Sequence, residues 1–244
     1  MDNSSYIETM KKVAKIFNEN NIRYALAGGV VAELRTGIVK THKDVDFAIF
    51  EKDMEIIEEL LKNNGIYCKN QLIHLTDKDN WVDTTGHNKT GKDINTGIDI
   101  GFFLYGNQED EFSEDGELLS EAGFIRKTNI QYSGKNITLR ERISDELEEY
   151  LFNTDRVEEL DGIKIKVQPL AYIMMLKARN LREKDRQDLV NTTQLLTDEE
   201  INEYNIFKNS ILNIYCTAQM GASAKEGKCE EVKRLIDISE EIVL

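Results

Sequence analysis

The sequence predicts an α+β chain of mixed type, with a twisted mixed sheet flanked by helices over residues 1–145 and a mostly helical region over residues 146–244. Three observations carry this expectation. Helix-period and strand-period stretches alternate through the first 140 residues in the order helix, strand, helix, strand, helix, then several strands. Tyr24–Phe50 holds a short version of that alternation: apolar strand, Gly28-Gly29 turn, short helix, loop, and a strand starting at Asp44. After Pro169, the only proline in the chain, apolar residues recur at helical spacing.

Each element has its own signal. Residues 4–19 place Tyr6, Met10, Val13 and Phe17 at the 3.6 period, with Ser4 or Ser5 as cap and Asn20-Asn21 closing the helix. Tyr24–Ala27 is the first strand. In Asp44–Phe50, Val45, Phe47 and Ile49 point into a core, while Asp44 and Asp46 share the opposite face, roughly 7 Å apart. A second long helix runs over about 53–64, with Asp53 as N-cap, Ile56, Ile57, Leu60 and Leu61 as its stripe, and Gly65 at C′. Ile66–Thr76 alternates weakly, as one or two strands. Residues 77–96 are polar and read as a loop or hairpin excursion.

Gly97–Phe103 is an apolar strand interrupted by Asp99, and Asn107–Ser120, with six acids and no base, is a solvated loop. Phe124–Tyr132 and Asn136–Arg140 form a hairpin about Ser133-Gly134. An acidic helical segment near 141–160 marks a boundary. Gly162–Val167 then alternates as a strand, and a helix over 169–182 carries Leu170, Ile173, Met174 and Leu181 on one face. The box Thr197–Glu200 starts a later helix, and Ile236 and Ile242 belong to a last one.

Composition narrows the function classes. With 244 residues, 40% of them hydrophobic and 31% charged, the chain can bury a sizeable core. No apolar run reaches the roughly 18 residues needed to cross a bilayer. The first residues, MDNSSYIETMKK, lack the pattern of a secretory signal. Cys68, Cys216 and Cys229 are scattered without a Cys-x-x-Cys pair, so reduced thiols and a cytoplasmic location are expected, with the Asn-x-Ser/Thr triplets at Asn88, Asn136 and Asn191 unused. A net charge of −14 argues against a long nucleic acid as main partner. The acidic surface fits either a cationic small substrate or plain solubility.

The chemistry centres on acids and glycines. Gly28-Gly29 lies between strand and helix, where glycine lets the backbone approach a ligand and the helix N-terminus attracts phosphate. Asp-Val-Asp by itself also fits the wet face of an edge strand. Asp99, between Ile98 and Ile100, looks buried and therefore expensive to ionise. Three carboxylates converging without counter-charge would hold a proton, and a divalent cation resolves the repulsion. The structural alternative for Asp99 is an ion pair with a lysine or arginine. Lys177 interrupts the apolar stripe of its helix, so it seeks an anion, either a nucleotide phosphate or Asp188.

Other positions read more plainly. His42 contacts phosphate or substrate, or is polar surface. His74 and His87 lack metal-ligand spacing, and Trp81 stacks on a base or packs its loop. The run Gly221–Lys228 is rejected as a P-loop, having one residue too many and Cys229 in place of Ser or Thr.

Gly28-Gly29, Thr36-Gly37, His42-Lys43-Asp44-Val45-Asp46-Phe47 and Ile98-Asp99-Ile100 together resemble the polymerase-beta-like nucleotidyltransferase superfamily, especially lincosamide and aminoglycoside nucleotidyltransferase-like proteins. Pro169, Lys177, Lys184-Asp185 and Asp188 extend the resemblance, which spans about residues 20–195. It departs at Lys43, where arginine is usual, and at residues 77–96, which look like extra polypeptide. Nothing after residue 200 matches.

The resemblance implies the nucleotidyltransferase fold and an enzyme that moves a nucleoside monophosphate from a triphosphate, with ATP expected, to a hydroxyl of a small molecule. One or two Mg²⁺ ions would be held by Asp44 and Asp46, with Asp99 either completing the metal shell or serving as general base. Gly28, Gly29, Lys43 and Lys177 would contact the nucleotide. The small hydroxyl-bearing substrate is of aminoglycoside or lincosamide type, a homodimer is compatible, and no membrane is involved. Two further readings share the fold: a toxin–antitoxin or defence component acting on a macromolecule, and a non-catalytic nucleotide-binding relative.

Overall fold

In the computed structural model, residues 4–37, 42–71, 73–75, 89–108, 111–112, 118–120, 123–132, 135–143, 145–153, 155–180, 189–192 and 196–203 are described. The sheet is built around β6 (Asp99–Gln108). On one side β6 pairs in parallel with β2 (Asp44–Phe50), in a register that sets Asp44 opposite Asp99 and Phe50 opposite Tyr105. On its other side it pairs antiparallel first with β5 (Lys89–Asp93) and then with β9 (Gly123–Tyr132). β1 (Tyr24–Ala27) lies antiparallel to β2, and β3 (Ile66–Asn70) antiparallel to β5. β10 (Lys135–Ile143) forms a hairpin with β9, to which β4 (Ile73–Leu75) adds in parallel. The result is a mixed sheet of eight strands.

Strand pattern and burial agree. Val45, Phe47 and Ile49 of β2 and Ile100 and Phe102 of β6 are fully buried. α1 (Ser4–Glu19) lays Met10, Val13 and Phe17 on that surface, and α3 (Met54–Asn63) adds Ile57 and Leu61. Phe17, Tyr24 and Phe47 meet with ring centroids 5.2 to 5.9 Å apart, inside the range where tilted and edge contacts are favourable. α3 stops at Asn64, with Gly65 at φ 75°, as its C′ glycine predicts.

The same core takes in the later chain. β11 (Val157–Leu160) and β12 (Ile163–Lys166) form a two-stranded ribbon against α1, and Ile165, Val167 and Ile173 belong to the core cluster. Val167 bridges Leu26 on the free side of β1, and the Gln168 amide donates to the Leu26 carbonyl at 2.9 Å. Pro169 follows, then α5 (Leu170–Asn180), so the edge of β1 sets the direction of that helix. The core cluster therefore draws on residues from both sides of the expected boundary at 145/146. The capping box at Thr197 is present: its amide donates to Glu200 Oε2 at 2.8 Å, and the Glu200 amide donates to Thr197 Oγ1 at 3.3 Å.

Three expectations change. The polar stretch 77–96 contains a strand, β5, wedged between β3 and β6. Its inward residues are Gly91 and buried Asp93, so no apolar alternation announces it. A Cβ at Gly91 would come 3.2 Å from Ile66 Cγ2, so a larger residue would crowd this strand. The acidic loop 107–120 includes a small ribbon, β7 (Glu111–Phe112) with β8 (Leu118–Ser120). The 141–160 segment divides into α4 (Asp145–Leu151) and β11 rather than one helix. Trp81, His87, Ser133-Gly134, Leu181, Lys184, Asp185, Asp188, Cys216, the run 221–228, Cys229, Ile236 and Ile242 lie outside the described residues, as does the helical expectation for 204–244.

Asp93 anchors α1 to the turn before β6. It is fully buried, accepts from Lys12 Nζ at 3.0 and 3.1 Å, and holds the turn through the Asn95 amide. Removing the lysine leaves a carboxylate in the core without its cation. Lys12→Met should lower unfolding free energy by about 3 kcal/mol in urea titrations. Lys11→Met, which removes a 2.6 Å pair to well-exposed Asp161, should cost under about 1 kcal/mol. Equal losses would refute the assignment.

Candidate active site

α2 (Gly29–Thr36) starts where β1 ends, and Gly28 makes the turn with φ 72° and ψ −162°, a region open essentially to glycine alone. A second constraint acts on the same residue. A Cβ at Gly28 would lie 2.5 Å from Asp46 Oδ2, so the missing side chain is what lets the Asp46 carboxylate rest on the turn. The register behind this contact is the β1–β2 pairing, which sets Ala27 opposite Asp46.

Gly29 opens the helix, and two side chains border it. A Cβ there would be 3.4 Å from His42 Cε1 and 3.6 Å from Lys177 Nζ. α5 thus delivers Lys177 to the N-terminus of α2, from a position where its stripe is otherwise apolar. An exposed surface lysine would have no reason to interrupt that stripe. Asp188, the alternative anion for Lys177, lies outside the described residues.

The three acids sit at one end of the sheet. Asp44 is exposed, Asp46 half-buried, and Asp99 opposite Asp44 in the parallel register, so all three project from one face. The expectation that Asp99 is buried fails: its side chain is 60% exposed and pairs with Lys92 Nζ at 3.6 Å, Lys92 being its partner on β5. Ile98 and Ile100 are buried on either side, but Asp99 is the first residue of β6 and its carboxylate emerges at the rim. An ion pair to Lys92 is thus present at the exposed rim. Lys43 is exposed, and what it contributes is its carbonyl, which accepts the Asp99 amide at 3.1 Å and ties the two strand starts together.

Among the described residues, no group of three or more His, Cys, Asp or Glu side chains is gathered closely enough to hold a metal ion. Asp44 and Asp46, two carboxylates on one face, suit an ion whose remaining ligands come from a bound phosphate chain. They do not form a closed protein cage.

Glu33 is a polar member of this corner that no sequence motif marks. It is buried on α2 beside Val30, Val31 and Ala32. Tyr6 Oη donates to its Oε2 at 3.1 Å, and His42 Nε2 makes a short contact with its Oε1. The available signal was a lone acid in an otherwise apolar run. Arg35, one turn-end further, reaches Glu200 at 3.2 Å and ties α2 to residues 198–203.

The comparisons with known proteins bear on this corner. Residues 6–68 match a family model described as a nucleotidyl transferase of unknown function (DUF2204). The matched span carries α1, β1, Gly28-Gly29, α2, His42 and both acids of β2, and ends before Asp99. It agrees with the resemblance read from the motifs in pointing to a nucleotidyl transferase. No curated protein matches the chain. Solved structures similar to it include the antibiotic-resistance factor ANT(2'')-Ia, at 12% identity over 99% of this chain and 97% of that one, TM-score 0.43. Another is an antigenic nucleotidyltransferase-like protein from Paracoccidioides brasiliensis, at 12% identity over 84% and 87% of the two chains, TM-score 0.41.

Burial, then the Glu33 charge and the hydrogen bond to it, push the Tyr6 phenol up to about 12. Tyr24 also rises to about 12, through burial. Because the folded value lies above the ordinary value of 10, the stabilising effect is complete below about pH 10 and is lost as pH rises towards 12. Ultraviolet titration should show a late tyrosinate step near pH 12 that shrinks in Tyr6→Phe. An unchanged late step would place the Tyr6 phenol in water. Gly28→Ala should destabilise the fold by at least about 2 kcal/mol in urea unfolding. Gly37→Ala, also at positive φ (68°) but with nothing within 4 Å, should cost about 1 kcal/mol.

Proposed function

We propose that this protein moves a nucleoside monophosphate from a nucleoside triphosphate, with ATP the expected donor, to a hydroxyl of a small molecule, releasing pyrophosphate. The observation that carries the reading is the meeting of three features at one corner. Asp46 rests on Gly28, Asp44 and Asp99 stand side by side, and Lys177 reaches Gly29. The family match, which covers Gly28, Gly29, Asp44 and Asp46 of that corner, supports the reaction class.

In this reading Gly28, Gly29 and the first turn of α2 receive the β- and γ-phosphates through backbone N–H groups, with Lys177 beside them. Asp44 and Asp46 would hold Mg²⁺, which when bound with the nucleotide supplies neutralisation of the triphosphate charge. Asp99 takes the proton of the acceptor hydroxyl. The exposure of Asp99 at the rim supports the role of base over that of an enclosed ligand, because an incoming acceptor can reach it. The acceptor oxygen bonds to the α-phosphorus as the bond to the β-phosphate oxygen breaks, and the displaced pyrophosphate leaves. Positioning the hydroxyl in line with that bond is most of what such a site must do. The aminoglycoside or lincosamide type of acceptor comes from the sequence resemblance and belongs to the same proposal.

The test pairs binding with turnover. Mg²⁺–ATP and the other nucleoside triphosphates are titrated calorimetrically, and pyrophosphate release is followed with a panel of aminoglycosides and lincosamides. One nucleotide should bind, and at least one hydroxyl-bearing acceptor should release pyrophosphate. Asp44→Ala and Asp46→Ala should each lower that release by about 100-fold or more. If no triphosphate binds, or both variants bind and turn over as the parent does, the proposal is wrong.

A further inference from the structure

Glu33, His42 and Tyr6 form a buried polar group that the reaction sketched above leaves unused. Glu33 has 7% of its side chain exposed and lies in a run whose neighbours Val30, Val31 and Ala32 are all buried. A carboxylate in such a place is retained only with hydrogen-bonding partners for its oxygens. One oxygen accepts the Tyr6 hydroxyl at 3.1 Å and the other meets His42 Nε2. The Tyr6 ring, itself 3% exposed, lies against the imidazole at a centroid distance of 5.1 Å and a tilt of 58°. The imidazole is thus held through one nitrogen and across one face, by residues from α1 and α2.

The direction in which it is held matters. The Cε1 edge of the ring borders Gly29, at 3.4 Å from where a Cβ would stand, and Lys177 Nζ borders the same position at 3.6 Å. A histidine serving only to pin its loop has no need to face the first residue of α2 beside a lysine. With Nε2 engaged by Glu33, the ring keeps Nδ1, bonded to that same Cε1, for a further contact, and Nδ1 together with the Lys177 ammonium suits an anion that arrives there.

We propose that Glu33 and Tyr6 are positioning residues that clamp His42 against Gly29, making His42 a second side-chain contact, beside Lys177, to the phosphate chain of the nucleotide. This inference rests on the nucleotide reading of the site. It assigns Glu33 a role exerted through His42, not on the substrate itself.

The test uses the full chain with Mg²⁺–ATP as probe. Calorimetric titration should show binding weakened about tenfold in His42→Gln and about tenfold in Glu33→Gln. The double variant should be no weaker than either single one, because Glu33 acts through the ring. Tyr6→Phe should weaken binding about two- to threefold. The chain has three histidines, so its imidazole ¹H–¹³C spectrum is simple, and the signal absent from His42→Gln identifies the ring. That signal should shift when ATP is added to the parent protein and shift less in Tyr6→Phe. Should Glu33→Gln fail to fold by circular dichroism, His42→Gln, Tyr6→Phe and the His42 signal still decide. Parent-like ATP affinity in His42→Gln, or a His42 signal that ATP leaves in place, overturns the clamp while the nucleotide site stands. Absence of ATP binding to the parent protein overturns both.

Discussion

The parallel pairing of β2 with β6 is the constraint on which the rest depends. Parallel neighbours put register partners on the same face about 5 Å apart, so aligning Phe47 with Phe102 in the core also aligns Asp44 with Asp99 at the rim. Core packing and the charge arrangement are thus one decision. Two carboxylates at about that spacing repel by about 1 kcal/mol in water and by about 3 kcal/mol at an effective dielectric constant of about 20. The open rim tolerates the first figure, and Lys92 offsets part of it. Covering the rim with a ligand moves the pair towards the second, which makes an arriving cation favourable where it would be of little use to the uncovered rim.

Gly28 couples this arrangement to α2. Its positive φ and the proximity of Asp46 are separate requirements met by one residue. The β1–β2 register brings Asp46 alongside, and the turn at Gly28 leads directly from β1 into α2. α2 then buries its apolar stripe and, with it, Glu33. That acid is tolerated because Tyr6 comes from α1 and His42 from the segment entering β2, so three separate chain segments are joined by one carboxylate.

Legibility in the sequence followed how locally each feature is encoded. Gly28, Gly29, Asp44 and Asp46 fall within one short stretch, and strand alternation alone places both acids on a common face. The helices with a clear apolar period, α1 and α3, lie where that period puts them, although Ile56 of the expected α3 stripe is exposed while Ile57 and Leu61 are buried. Asp99 was legible as a position but not as an environment, because neighbouring isoleucines do not reveal that a strand begins at their partner. β5 was hidden for a related reason: its inward residues are Gly91 and Asp93, chosen for close packing and an ion pair, neither of which has a hydropathy signature. Glu33 depends on partners 27 and 9 positions away, a relation that no window of sequence contains.

Lys177 shows how the distant wall is brought to bear. Its helix is not attached to the site by the lysine. It is aimed there by main-chain pairing of Val167 and Gln168 with Leu26, on the outer side of the same β1 whose end is Gly28. Strand β1 therefore carries the glycine turn on its axis and directs α5 from its edge, and any shift of β1 moves both together. That shared dependence keeps Lys177 and Gly29 in fixed relation even though 147 other residues separate them in sequence. A lysine held by packing alone would lose its place with each change in the wall, whereas one registered through the backbone of β1 keeps pace with the turn it serves.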